Sequence, residues 1–227
     1  MRWRRHHLEL VRCAVLLFFA IAHCVAARPQ DSPARSGEKI ADLKRFLPEE
    51  ATLTKQMAVD FAGGREAAFL VIAYQMRDEE GLCILKPDKT KGWTVVYKEA
   101  NPSEPVQDEL ILHTVRSTNG KEGLVVIYYH SGAGTTTDWK IIAESNGKFV
   151  SQDATPIRDG VLKRRHLIFG GYNGVRVDHD LVIETIAGYS PGVARCCPDQ
   201  PPVVMRVKFN GTSIKLDSVE QKTEPAR

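Results

Sequence analysis

Beyond residue 27, three cysteines (Cys83, Cys196, Cys197) and four histidines (His113, His130, His166, His179) are the side chains best suited to redox, nucleophilic or metal chemistry. Their spacing restricts what they can do. No Cys-x-x-Cys pair opens a helix, so a thiol oxidoreductase is disfavoured. No His-x-x-x-His or paired Cys-x-x-Cys spacing supplies a zinc set. Asp178-His179-Asp180 could start a metal site, but alternation along a strand sends both carboxylates to the face opposite the imidazole, and the triplet reads as a solvated strand start. His130-Ser131, followed by Gly132-Ala133-Gly134, lacks the Gly-x-Ser-x-Gly elbow and reads as strand to flexible loop. Gly170-Gly171-Tyr172-Asn173-Gly174 lacks the dinucleotide spacing and reads as a turn. Asp78-Glu79-Glu80 reads as a polar loop, and Lys163-Arg164-Arg165-His166, the basic cluster, as an exposed connector. Asn210-Gly211-Thr212 fits a glycosylation sequon and equally a hairpin turn. The sequence therefore assigns no catalytic, cofactor-binding or metal-ligating residue. An enzyme would have to assemble its acids from separate parts of the chain, by convergence of His130, Asp138, His179 and Asp180.

The cysteines carry a structural expectation. Neighbouring Cys196 and Cys197 can bond to each other only through a strained eight-membered ring, whereas Cys83 belongs to a strand, Leu82 to Leu85, far away in sequence. A bond from Cys83 to Cys196 or Cys197 is expected, closing a loop worth ~4–5 kcal/mol in the chain-entropy model. The alternative is a buried free Cys83 with a vicinal Cys196-Cys197 bond or two thiols. An odd count leaves one thiol free, or paired between molecules, whichever bond forms.

The elements that position these residues repeat. Val59 to Tyr74 aligns without gaps on Val115 to His130, with Gly64-Arg65-Glu66 on Gly120-Lys121-Glu122. Each copy then reaches a tryptophan strand, Trp93 to Tyr97 and Trp139 to Ala143, the matching tryptophans implying core packing. A third copy runs from Leu167 to Val219, with Asn173-Gly174 at its turn, Leu181 to Ile186 as the apolar strand and Val203 to Phe209 in the place of the tryptophan strand. Gly63-Gly64, Asn119-Gly120, Asn146-Gly147 and Asn210-Gly211 each separate β-branched apolar runs, the strongest short hairpin signal because both turn residues tolerate positive φ. The fold class expected is all-β: three repeats of about four antiparallel strands, propeller-like or a curved meander sandwich, with one short N-terminal helix. Ile40, Leu43, Phe46 and Leu47 make the stripe of that helix over 38–47, and Pro48 ends it.

Two resemblances accompany the repeat. Val59-Asp60-Phe61-Ala62-Gly63-Gly64-Arg65-Glu66 before an apolar strand resembles FG-GAP-type β-propeller repeats over residues 59–150, in which an Asp-Phe-x-Gly-x-Gly loop precedes a buried strand. Asp60 stands without that family's further aspartates, and Arg116 takes its place in the second copy, so the family's calcium ligation is not carried over. Tyr189 through Cys196-Cys197-Pro198 to the strand Val203 to Phe209 resembles the C-terminal end of LppP/LprE-type bacterial secreted lipoproteins. That likeness implies a bacterial envelope setting and no reaction.

The ends and the charge set the compartment. Arg2, Arg4, Arg5 and Arg12, an apolar run from Cys13 to Ala22 and the small residues Val25, Ala26 and Ala27 form a secretory signal peptide over 1–27, cleaved near Ala27. The run is too short to span a bilayer. His23 before Cys24 disfavours lipid anchoring there. Residues 28–37 read as a flexible spacer, 38–220 as one β-repeat domain and 221–227 as a disordered tail. The 227-residue chain has a formal charge of +3, but the signal segment holds four basic residues and one acidic, leaving 27 of each sign. Composition thus excludes disorder, collagen and a disulfide miniprotein. It also leaves no basic excess for nucleic acid, and no integral membrane segment follows the signal. The expected protein is exported, secreted or periplasmic, without a cofactor. It is non-catalytic and binds a protein or envelope component through loops at one end of its strands; the alternative is a secreted hydrolase with a site assembled between repeats.

Overall fold

A computed structural model describes residues 43–64, 68–102, 108–130, 136–171, 173–194 and 197–222. The chain divides into the units Met1–Ser36 and Gly37–Arg227, and every described element belongs to the second. The expected signal segment (1–27) and spacer (28–37), residues 38–42 and residues 223–227 lie outside the described residues.

Twelve described strands form three four-stranded antiparallel meanders. The first contains β1 (Thr52–Val59), β2 (Phe69–Gln75), β3 (Glu79–Asp88) and β4 (Gly92–Pro102); the second β5 (Asp108–Arg116), β6 (Glu122–His130), β7 (Thr136–Ser145) and β8 (Lys148–Asp153). The third contains β9 (Asn173–Asp178), β10 (Leu181–Gly188), β11 (Gln200–Phe209) and β12 (Ile214–Gln221), entered through helix α1 (Thr155–Arg164). The all-β repeat expected from the sequence is what folds. The gap-free alignment pairs equivalent positions, the end of β1 with β2 and the end of β5 with β6.

Central and outer strands differ in sequence because they differ in burial. Phe69-Leu70-Val71-Ile72-Ala73-Tyr74 and Leu124-Val125-Val126-Ile127-Tyr128 are continuous apolar runs, and every residue in them is buried, since their sheets are covered on both faces. β9 instead alternates half-buried with exposed positions, the signature of one wet face. From β6, Leu124, Val126 and Tyr128 enter a core shared with Phe61, Val71, Leu82 and Ile84 of the first meander. Val125 and Ile127, on the opposite face, join Trp139 and Ile141 in a core with Val182, Met205, Val207, Phe209 and the helical Val161 and Leu162. The three meanders therefore stack face to face in chain order, like successive propeller blades.

Both ends of the stack are finished. The outer face of the first blade is covered by Leu43, Phe46, Leu47, Ala51 and Leu53, which pack on Leu70, Ile72, Tyr74, Cys83 and Leu85. The outer face of the third blade carries exposed Arg176, Lys208, Lys215 and Asp217, a solvated surface rather than a seat for a fourth blade.

Four departures from the sequence reading have physical causes. The described part of the expected 38–47 helix is Leu43 followed by a single 3-10 turn, Lys44–Phe46, closed by the Leu47 N–H donating to the Lys44 carbonyl at 3.1 Å. Trp93 lies on the fourth strand of its blade and Trp139 on the third, so the two are not equivalent. Asn173-Gly174 opens β9 rather than turning; the turn is His179-Asp180, with His179 at φ 55°, which joins Asp178 to Leu181. Asp178-His179-Asp180 is thus a turn, and strand alternation does not govern it. Finally, α1 was not expected: Pro156 and Gly160 mask a helix whose buried positions, Arg158, Val161 and Leu162, hold an i, i+3, i+4 spacing.

Candidate functional site

The residues able to do chemistry fall into two polar clusters between blades and one row of loops at their hairpin end. Between the first and second blades, Glu99 of β4 collects three donors. The Tyr97 hydroxyl donates to its Oε2 at 2.6 Å and the Tyr128 hydroxyl to its Oε1 at 2.8 Å, while Lys140 Nζ lies 2.8 Å from Oε1 and 4.9 Å over the Tyr128 ring. Burial, then the Glu99 charge, pushes the Tyr128 phenol well above its ordinary value; for Tyr97, burial and the hydrogen bond to Glu99 do the same. Both phenols remain protonated donors.

Between the second and third blades, Glu184 of β10 is wholly buried. The Trp139 indole Nε1 donates to its Oε2 at 2.8 Å, and its Oε1 accepts Asn173 Nδ2 at 2.6 Å and Arg158 Nη1 at 3.3 Å. Arg158, projecting from α1, also donates through Nη2 to Asp138 at 2.9 Å and lies 4.0 Å over the Phe169 ring. Asn173 completes the joint by exchanging hydrogen bonds with the Thr137 backbone, 2.8 Å to its amide and 2.7 Å to its carbonyl. Three elements therefore converge on one carboxylate: α1 through Arg158, β9 of the third blade through Asn173 and β7 of the second blade through Trp139. Burial raises the Glu184 pKa against the pull of these donors, the indole first.

At the hairpin end, the equivalent loops of successive blades touch. The Asp60 N–H donates to Glu122 Oε2 at 2.8 Å, and the Glu122 N–H returns a bond to the Asp60 carbonyl at 2.9 Å. Arg116 holds Glu122 Oε1 at 2.6 Å, and its own N–H donates to the His179 carbonyl at 3.1 Å. The Asp60 carboxylate accepts the Gly63 N–H at 2.9 Å, a turn-capping role inside the loop of the FG-GAP resemblance. These joints are not legible in the sequence, since their partners lie 62 residues apart in the Asp60–Glu122 case.

The residues singled out earlier are not gathered into one place. Asp138 pairs in register with Tyr128, whereas Arg116 beside His179 pairs with Glu122, roughly 20 Å along the strands at 3.4 Å per residue. His179 is exposed and bonds Asp178 at 2.6 Å; Asp180 pairs with Lys208 at 3.0 Å. The side chain of His130 lies outside the described residues. His113 lies on β5, its imidazole held below the ordinary value by partial burial of the ring and then by the Lys55 charge, and His166 is an exposed residue after α1 at φ 55°. Lys163 and Arg164 are exposed in the last turn of α1 rather than in a connector. Among the described residues no three His, Cys, Asp or Glu side chains are placed to hold a metal. Asn210 caps its own hairpin, accepting the Thr212 and Ser213 N–H groups at 3.0 and 2.8 Å.

The expected disulfide is not formed at Cys83. Cys83 is a buried free thiol whose Sγ lies 3.7 Å from the Phe46 carbonyl, under the segment that covers the first blade. Cys197 is exposed in the β10–β11 connection, and Cys196 lies outside the described residues. Cys83 lies on a strand as expected and is the buried free thiol of the alternative reading, because its side of the strand is covered by Leu43, Phe46, Leu47, Ala51 and Leu53.

The fold and its joints define a stacked three-blade β-repeat protein. Compared with known proteins, the chain matches no family model, no curated protein and no solved structure.

Proposed function

We propose that this is an exported, non-catalytic β-repeat protein that binds a protein or envelope component through the loops at the hairpin end of its blades. One observation carries the reading: the acids, bases and phenols gathered inside the stack are engaged with one another as joints between blades. Glu184 is surrounded by Trp139, Asn173 and Arg158, and Glu99 by Tyr97, Tyr128 and Lys140. Rigid joints of this kind hold neighbouring loops in a fixed arrangement, as a recognition surface requires. The N-terminal export signal and the likeness of the Cys-Cys-Pro segment to envelope lipoproteins supply the compartment.

Affinity capture from an envelope extract tests the reading, with the expected result a specific, saturable partner. A chain that captures nothing there and instead turns over substrates in a hydrolase screen would overturn it in favour of the secreted hydrolase.

A further inference from the structure

Folding builds a basic corner that the composition conceals. Beyond residue 27 the chain carries 27 charges of each sign, yet five cations around one corner of the first blade are exposed: Lys44 and Arg45 of the covering segment, and Lys86, Lys89 and Lys91 in and beside the β3–β4 turn. Two segments some 40 residues apart meet there, because Arg45 Nη2 donates to the Lys91 carbonyl at 3.2 Å. The acid at the β3–β4 turn, Asp88, is engaged by the turn itself. Its Oδ1 accepts the Thr90 N–H, the Thr90 hydroxyl and the Lys91 N–H at 2.8, 2.7 and 2.9 Å. Among the described residues none of the five cations makes an ion pair, whereas Lys121, Lys140, Arg158, Arg206 and Lys208 are each paired with a carboxylate.

Apolar groups adjoin the charges. Among the described residues the exposed large hydrophobics are Val95, Val96 and Val150, and two of these three follow the hairpin directly, at 39% and 40% exposure. The register sets Thr94 beside Lys86 and Val95 beside Leu85, and Val96 occupies a bulge that pushes it out of the ladder. That bulge, with exposed Lys98 next to it, blunts β4 as a template for a further strand. Half-buried Trp93 stands between the lysines and the valines.

We propose that this corner is a peripheral docking surface for an anionic lipid membrane. Unpaired lysines meet the headgroup charge, and Trp93, Val95 and Val96 meet the boundary between headgroups and acyl chains. A soluble polyanion would be satisfied by the cations alone; the apolar residues beside them favour a surface with hydrocarbon beneath its charge. The inference deepens the binding role above and rests on it, naming the envelope component as lipid.

Co-sedimentation of the full chain with vesicles of phosphatidylglycerol and phosphatidylcholine, against pure phosphatidylcholine, tests it. Binding is expected to the anionic vesicles at low salt and to weaken as salt rises. K86Q/K89Q/K91Q is expected to lower the partition coefficient roughly a hundredfold, from about 1 kcal/mol per lysine near a charged surface. V95S/V96S is expected to lower it severalfold while keeping the preference for anionic vesicles. K163Q/R164Q, which removes equally exposed charge from α1, is expected to leave it unchanged, and circular dichroism checks that all variants fold. Equal binding to both vesicle types, equal loss in the α1 control, or retention on immobilised polyphosphate without vesicle binding would each overturn the proposal. Capture of a protein from envelope extract by a chain that ignores vesicles would overturn the lipid assignment alone and leave the binding role standing.

Discussion

Glu184 is the residue on which the third blade hangs. It is wholly buried, and its neighbours are one cation and two neutral donors. Removing one member of a buried pair typically costs about 3–5 kcal/mol. Replacing Glu184 with Ala, which leaves Arg158, Trp139 and Asn173 without their shared acceptor, is accordingly expected to lower the urea midpoint strongly and to change Trp139 fluorescence; an unchanged midpoint would refute the joint. The pH dependence has opposite signs at two carboxylates. Glu184 has a folded pKa raised by burial, so its contribution to stability is complete below the ordinary carboxylate value and is lost as pH rises through the folded one. Asp88 is held at about 2 by the Thr90 hydroxyl and the Lys91 and Thr90 amides, so its contribution is present above the ordinary value and is lost as pH falls toward 2. Asp88→Asn is expected to flatten the acid limb of a stability profile between about 4 and 2, with little effect near neutrality beyond the altered turn. Glu184 does not stand out in the sequence, because burial and partners 26 and 45 residues away decide its role.

At the scale of elements, the parts that were legible are those made by neighbours in the chain. All four glycine turns read from the sequence do join strands, and Asn146-Gly147, at φ 53° and 77°, has the positive φ pair that such a two-residue turn demands. The hairpin closed by His179-Asp180 is not legible in the sequence because it carries no glycine, the residue that marks the other four turns. The helix is not legible because one of its inward residues is a charged arginine, whose partner Glu184 lies 26 residues on, in β10. Two substitutions separate local from tertiary demands. Gly63→Ala would meet the Lys121 amide nitrogen at 2.7 Å while holding φ at 70°, which strains both its own loop and the joint to the second blade. Gly123→Ala would approach the Phe209 ring at 2.9 Å and Ile141 at 3.0 Å, overpacking the core between the second and third blades by about 1–3 kcal/mol. Both variants are expected to melt earlier than the parent. Gly147→Ala, with open space around its Cβ, should cost about 1 kcal/mol through backbone conformation alone.

For the whole molecule, the second blade is the common wall of both large cores. Its β6 sends Leu124 and Val126 one way and Val125 and Ile127 the other. Loss of either outer blade would therefore bare one complete apolar face. A chain ended after Asp153, which leaves Val125, Ile127, Trp139 and Ile141 uncovered, is expected to be insoluble or to aggregate on expression; recovery as a monodisperse folded protein would show that the blades are independent. By the same reasoning the three blades are expected to unfold in one transition, with tryptophan fluorescence and far-ultraviolet circular dichroism coinciding in urea.

Cys83 turns the cover of the first blade into something that can be timed. Its thiol, pushed up in pKa by burial, lies beneath Phe46 and the residues that follow. A thiol reagent can reach it only when that cover lifts. In a chain whose Cys196 and Cys197 are replaced by Ser, the labelling rate of Cys83 becomes a clock for release of the 43–53 segment, read without unfolding the rest of the stack. If the basic corner docks as proposed, Lys44 and Arg45 of that segment are held from outside, and anionic vesicles should slow the clock.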